Sequence, residues 1–175
     1  MIIWLNGPFG VGKTTTALEL TALLPGSALF DPEQVGSMLR HVMTPAEPVT
    51  DFQHWRPWRT LVAQTAITLH THLGGPLIVP QTVLVEHYWK ELHTALTAAD
   101  IPVHHFLLHA DQPTLTHRIT TDQTPGSHKA RPWRLAHLPH YQQALPWLRT
   151  SATLLPTTPH SPTHLAHLIL TTTHP

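Results

Sequence analysis

Cysteine is absent from these 175 residues, charged side chains are scarce, and no apolar run is long enough to span a bilayer. Without cysteine, neither a disulfide nor thiol chemistry can contribute, which fits a reducing interior. The first residues read as a strand with no basic segment ahead of them, so neither a secretory leader nor a membrane helix is expected, and the expectation is a soluble cytoplasmic protein. Charged residues make up 11%, with 10 basic against 10 acidic side chains, where about 25% is usual. Balanced charge without a basic stripe gives no footing for nucleic acid or an anionic membrane. Oligomerisation stays open. The length suits one domain, residues 1–175, with a core of its own.

In place of charge the chain carries 17 His and 18 Pro. Imidazole is a common metal ligand, yet the pairs His70/His72, His104/His105, His137/His140 and His164/His167 match no zinc spacing, and compositional bias explains them better. Scarcity makes each acid informative. Asp31, Glu33, Glu47, Asp51 and Glu86 are the ones placed to reach a site near the N-terminus.

That site is announced by Gly7-Pro8-Phe9-Gly10-Val11-Gly12-Lys13-Thr14, which satisfies the phosphate-loop spacing G-x-x-x-x-G-K-[ST] at every fixed position. The apolar run Ile2-Ile3-Trp4-Leu5 before it reads as a strand, and Ala17, Leu20, Leu23 and Leu24 after it have helical spacing. Glycines let the backbone turn tightly with its N–H groups inward, so the amides from Gly7 to Thr15 and the positive end of the helix can cradle a polyphosphate. Lys13 adds a point charge at the outer phosphates, and Thr14 offers a hydroxyl to Mg²⁺.

Further along, Ser27 to Phe30 reads as a second strand ending in Asp31-Pro32-Glu33. Asp31 stands at the edge of an α/β sheet where ligands lie; the alternative is that it only caps the helix running from Pro32 to about Val42. A break is expected at Thr44-Pro45-Ala46-Glu47-Pro48. Asp51 to Arg59 then holds Trp55, Arg56, Trp58 and Arg59, suited to gripping a planar or phosphorylated ligand, or else a Trp pair in the core with solvated Arg. A helix from Trp58 to about Leu73 ends at Gly74-Gly75. The strand Pro76 to Pro80 is followed by Gln81-Thr82, where many phosphate-loop NTPases place an acid; this argues against a motor ATPase or switch GTPase and leaves Asp31 for metal or proton chemistry. After a helix to about Ala99, a fourth strand from Val103 to Leu108 precedes a helix carrying Arg118 and capped by Asp111. Residues 120–130 read as a mobile polar stretch, and Lys129, Arg131 and Arg134 cluster at its end with no acid beside them: solvated bases, or a lid that closes over a triphosphate. A helix from about Leu138 to Leu148, interrupted or started at Pro139 and stopped after Pro146, a fifth strand at Ala152 to Leu155 and a helix begun at Ser161-Pro162 complete the chain.

Five strands alternating with helices, a first-strand phosphate loop and a late basic lid resemble the nucleoside monophosphate kinase architecture: an α/β phosphate-loop NTPase fold with a five-stranded parallel sheet and a short lid at about 120–135. A closer resemblance is to the tunicamycin-resistance (TmrB-like) ATP-binding proteins. It rests on Ile2 to Thr14, on Asp31-Pro32-Glu33 with Gly36 and Leu39-Arg40, on Leu77 to Pro80 with Thr82, and on Val103-His104-His105-Phe106. It covers about the first 120 residues and weakens after Arg118, and the C-terminal extension typical of the family is not expected here. The resemblance implies an ATP- and Mg²⁺-dependent kinase acting on a hydroxyl of a nucleoside-like natural product or antibiotic. In that reading Lys13, Asp31 and Arg118 are catalytic, with Asp31 activating the acceptor. Gly7, Phe9, Gly10, Val11, Gly12, Lys13, Thr14, Thr15, Arg118 and Arg131 hold the nucleotide. Asp31, Glu33, Trp55, Arg56, Trp58, Arg59 and Gln81 line the acceptor pocket. A protein that sequesters its ligand without phosphorylating it, and a regulatory NTPase acting on a protein partner, are the alternatives.

Overall fold

A computed structural model describes residues 1–43 and 47–173; Thr44, Pro45 and Ala46, where a break is expected, lie outside the described residues. The strands are β1 (Ile2–Asn6), β2 (Ala28–Leu29), β3 (Leu77–Pro80), β4 (Val103–His109) and β5 (Thr153–Pro156). They form one sheet in the order β2-β3-β1-β4-β5, every neighbouring pair parallel. This is the α/β, nucleoside monophosphate kinase-like form of the phosphate-loop fold. The helices are α1 (Lys13–Leu23), α2 (Glu33–Met43), α3 (Arg56–Leu73), α4 (Glu86–Thr97), α5 (Gln112–Thr121), α6 (Ser127–Ala136), α7 (Leu138–Ser151) and α8 (Pro162–Thr173), with a 3₁₀ turn at Phe52–His54.

Alternation along β1 explains the layers, because successive side chains leave opposite faces of a strand. Ile3 and Leu5 join a core with Leu20 of α1, Leu115 of α5, Leu148 of α7 and Ile169 of α8. Ile2 and Trp4 join a second core with Val62 of α3 and Trp89 of α4. Since β1 is wholly buried, it lies in mid-sheet, and the turn after it opens at the edge where the strands end.

Two helices differ from the sequence reading. The polar stretch after α5 is held by local bonds and then turns helical: Asp122 accepts hydrogen bonds from the Thr124 N–H and hydroxyl, and α6 begins five residues later. Helix α7 does not stop at Pro146 but runs through it to Ser151. Proline removes one backbone donor, while the buried stripe Tyr141, Ala144 and Leu148 holds the helix to the sheet on both sides of it.

Candidate nucleotide and acceptor site

The loop between β1 and α1 is shaped by glycine where nothing else would fit. At Gly7, with φ of 138°, an added Cβ would meet the Leu108 carbonyl oxygen at 2.4 Å; at Gly10, with φ of 77°, it would meet Ile119 at 2.9 Å. Helix α1 starts without a side-chain cap, so its first N–H groups are left to an anion. Lys13 Nζ donates to the carbonyls of Gly7 at 3.0 Å and Pro8 at 2.9 Å. Burial lowers its pKa to about 7, against the pull of Glu33 and with the push of Arg134. Neither carbonyl carries a full negative charge, so the loop fits a polyphosphate that would supply one. Thr14 and Thr15 are exposed on the first turn of α1.

Asp31 lies just beyond β2, and its carboxylate accepts from the Glu33 N–H at 2.9 Å and from Gln34 Nε2 at 3.3 Å. It therefore caps α2, as the alternative had it, and it is not among the residues lining the cavity beside the loop. The Glu33 carboxyl has its pKa raised by burial and then by Asp31, with Lys13 and Arg134 pulling it down and Asp51 adding to the rise. Asp31, Glu33, Asp51, Lys13 and Arg134 thus share one electrostatic neighbourhood. Among the described residues no three His, Asp or Glu side chains converge as a metal-binding set; Mg²⁺ would be held by Thr14 and the phosphates themselves.

Arg118 flanks the loop, its Cβ beside Gly10, and donates to the Thr157 hydroxyl at 3.0 Å and carbonyl at 3.4 Å. Arg134 is not without an acid: it pairs with Asp122 at 2.8 Å, and Arg131 reaches the Asp122 carbonyl at 3.5 Å. That acid was hidden because the pair closes across the turn between α5 and α6. The α6 helix leans on the loop through Trp133, 4.7 Å from the Phe9 ring, with His137 at 5.6 Å.

The acceptor residues need larger corrections. Trp55 and Trp58 are each 1% exposed. Their indole N–H groups donate to the Glu47 carbonyl at 2.8 Å and the Pro32 carbonyl at 3.1 Å, so they lock α2 to α3 and offer no face to a ligand. Arg59 is likewise internal: it pairs with Glu91 at 2.6 Å, donates to the Gln53 carbonyl and lies 4.1 Å over the Tyr88 ring. Arg56 borders an outer groove between α3 and α4, with Lys90 and Glu91. The long α3 stripe draws its large aromatics inward, which residue content alone does not tell. Gln81 is buried, its Nε2 donating to the Thr82 carbonyl and its Oε1 lacking a partner among the described residues.

A cavity of about 700 Å³ opens beside the loop instead, between the 3₁₀ turn, the start of α4, and α6 and α7. Its walls include Asp51, Thr82, Tyr88, Trp133, His137 and Trp147. Thr82 ties this cavity to the loop, donating to the Gly7 carbonyl at 2.8 Å. His137 Nδ1 meets the Trp133 carbonyl at 2.7 Å, which leaves Nε2 facing Asp51 at 3.9 Å. Sequence reasoning had weighed Asp51 but missed Tyr88, Trp133, His137 and Trp147; the one local signal was the helical spacing of Trp133 and His137. Asn6 was also missed as a bracket: fully buried, its Oδ1 accepts from the N–H groups of Gly7 and Val83, and its Nδ2 donates to the Val83 carbonyl.

A phosphate loop on the first strand of a parallel sheet, with a second cavity sharing its wall, defines a nucleotide-binding phosphate-loop protein of the small-kinase shape. Residues 2–136 match the family described as an AAA domain, and the chain belongs to that family. It is similar to the tunicamycin resistance protein of Deinococcus radiodurans, at 28% identity and a TM-score of 0.73 over 98% of this chain and 94% of that one. It also shares its fold with a sugar kinase from Janibacter sp. HTCC2649, at 21% identity and a TM-score of 0.64 over 97% and 92%. The APS kinase of Mycobacterium tuberculosis, in complex with AMPPNP and APS, matches at 16% identity and a TM-score of 0.66 over 99% and 97%. No curated protein matches the chain.

Proposed function

We propose that this protein is an ATP-dependent kinase that transfers the γ-phosphoryl group to a hydroxyl of a small, nucleoside-like natural product, as its likeness to a tunicamycin resistance protein suggests. The observation that carries the reading is the shared wall: Thr82 hydrogen bonds the phosphate loop and lines the neighbouring cavity. In the transfer, the bond between the γ-phosphorus and the bridging oxygen of the leaving ADP breaks. A bond to the acceptor oxygen forms, and the hydroxyl proton passes to a carboxylate, for which Asp31, outside the cavity's walls but beside Glu33, is the candidate. The loop amides and Lys13 neutralise developing charge in a loose transition state. Arg118, Arg131 and Arg134 are the further cations, and Arg134 is the one felt at Lys13. Mg²⁺, when bound, neutralises charge on the β- and γ-phosphates beside Thr14. Such chemistry belongs in the cytoplasm, where ATP is.

The test is mass spectrometry of nucleoside antibiotics incubated with ATP and the protein, with Lys13→Ala as the inactive control. Asp31→Asn should keep ATP binding and lower turnover by about 10² to 10⁴, the usual worth of a general base; unchanged turnover rejects that role. A second reading is favoured by the engagement of both Asp31 oxygens, one by the Glu33 N–H at the start of α2 and one by the Gln34 side-chain amide: ATP orders the site, and the protein sequesters its ligand. Tight binding of an antibiotic with no phosphorylated product would select it.

A further inference from the structure

The cavity beside the phosphate loop has a one-sided charge. Among the described residues its walls include the carboxylates of Asp51 and Glu86 and the imidazoles of His54, His137 and His140, but no Lys or Arg. Cations on the adjoining elements, Arg59, Lys90, Arg131 and Arg134, lie outside these walls. Arg59 lies behind Tyr88 and is held by Glu91, Lys90 pairs with Glu86 at 2.7 Å, and Arg134 pairs with Asp122. Lys13 points back into its own loop. With Glu86 neutralised by Lys90, Asp51 remains as the acid of the inner wall. Its partners are the Gln53 N–H at 3.0 Å, Gln53 Nε2 at 3.2 Å and the more distant His137.

The rest of the wall is flat and apolar: Tyr88, Trp133 and Trp147 with Leu84, Val85 and Ala144. The Trp133 indole N–H is buried and has no acceptor among the described residues. That N–H is closed off, so a ligand in the cavity meets the aromatic rings rather than this donor. A carboxylate, sulfate or phosphate on the ligand would instead be stripped of water beside Asp51, with no cation to replace the lost hydration.

Resting on the kinase reading, we propose that this cavity selects its acceptor by charge. It takes a ring-bearing molecule that is neutral or cationic, offering N–H or O–H groups to Asp51, and it rejects anionic acceptors.

The test needs neither ATP nor the acceptor's name. A library of ring-bearing fragments in three equal groups, anionic, neutral and cationic, is screened by protein-observed NMR, reading the indole N–H signals of Trp133 and Trp147. The screen is run at pH 8, above the usual imidazole range. Fragments that shift both signals should come from the neutral and cationic groups, with anionic hits about tenfold rarer. Thr50→Lys, which puts a cation on the exposed rim of the cavity, should recover anionic hits, and Asp51→Asn should do so in part. Anionic hits as frequent as the others in the native protein, or no fragment of any group moving the two signals, would overturn the proposal. Because binding alone is read, failure of phosphoryl transfer would sink the kinase reading and leave this result standing. Anionic binding would do the reverse.

Discussion

Asn6→Ala should destabilise the protein more than any surface change of equal size, because one amide closes three buried backbone groups. Its Oδ1 accepts from the Gly7 N–H at 2.8 Å and the Val83 N–H at 2.9 Å, and its Nδ2 donates to the Val83 carbonyl at 3.0 Å. The side chain is fully buried at the point where β1 enters the phosphate loop. Each buried group left without a partner costs about 1–3 kcal/mol, so three set a floor of about 3 kcal/mol even if each costs the minimum. For a chain of this size that corresponds to a fall in Tm of about 6–12 °C. Asn6→Asp keeps both acceptor bonds but sets a carboxylate oxygen against the Val83 carbonyl, so it should also be destabilised. Urea unfolding at pH 7.5, with unchanged m as the check on two-state behaviour, measures the loss. A loss below about 1 kcal/mol for Asn6→Ala would refute the bracket, since it would mean that those backbone groups find other partners. ATP affinity should weaken in the same variant, because the Gly7 amide begins the cradle.

His105 should make the protein acid-sensitive. Burial lowers its pKa to about 4, and the unfolded chain takes up that proton near the ordinary imidazole value of about 6.5. Stability should therefore fall as pH drops from about 6.5 towards 4, and His105→Gln should flatten that limb in acid-unfolding curves. Lys13 acts in the opposite range. With its folded pKa near 7 and its unfolded value about 10.4, the unfolded chain binds more protons between the two, so nucleotide-free stability should rise with pH there. Lys13→Met should remove that slope in denaturation measured at pH 7 and pH 9. Gly36→Ala places a Cβ 2.1 Å from the Phe52 ring, which is held by Trp55 stacked at 5.8 Å and by Arg40 above it. Overpacking of this kind costs about 1–3 kcal/mol, which the shift of the urea midpoint would read.

The sequence by itself determined the phosphate loop and the parallel sheet, because both rest on short-range rules. Glycine turns, a lysine at fixed spacing and the alternation of strand and helix leave the chain little choice within a few residues. It also confined the acids worth considering to a handful, Asp51 among them. What it left open was which side of an element an aromatic or charged residue faces. Trp55 and Trp58 offered the same residue type as Trp133 and Trp147, and only the packing of α3 against the sheet sent the first pair inward while α6 and α7 turned the second towards a cavity. Tertiary structure likewise decided that Arg134 finds Asp122, that Arg59 finds Glu91, and that His137 comes to face Asp51. The first pair closes across one turn and the other two join elements distant in the chain, and the energy that brings the distant ones together is the burial of the two cores, which no local pattern records.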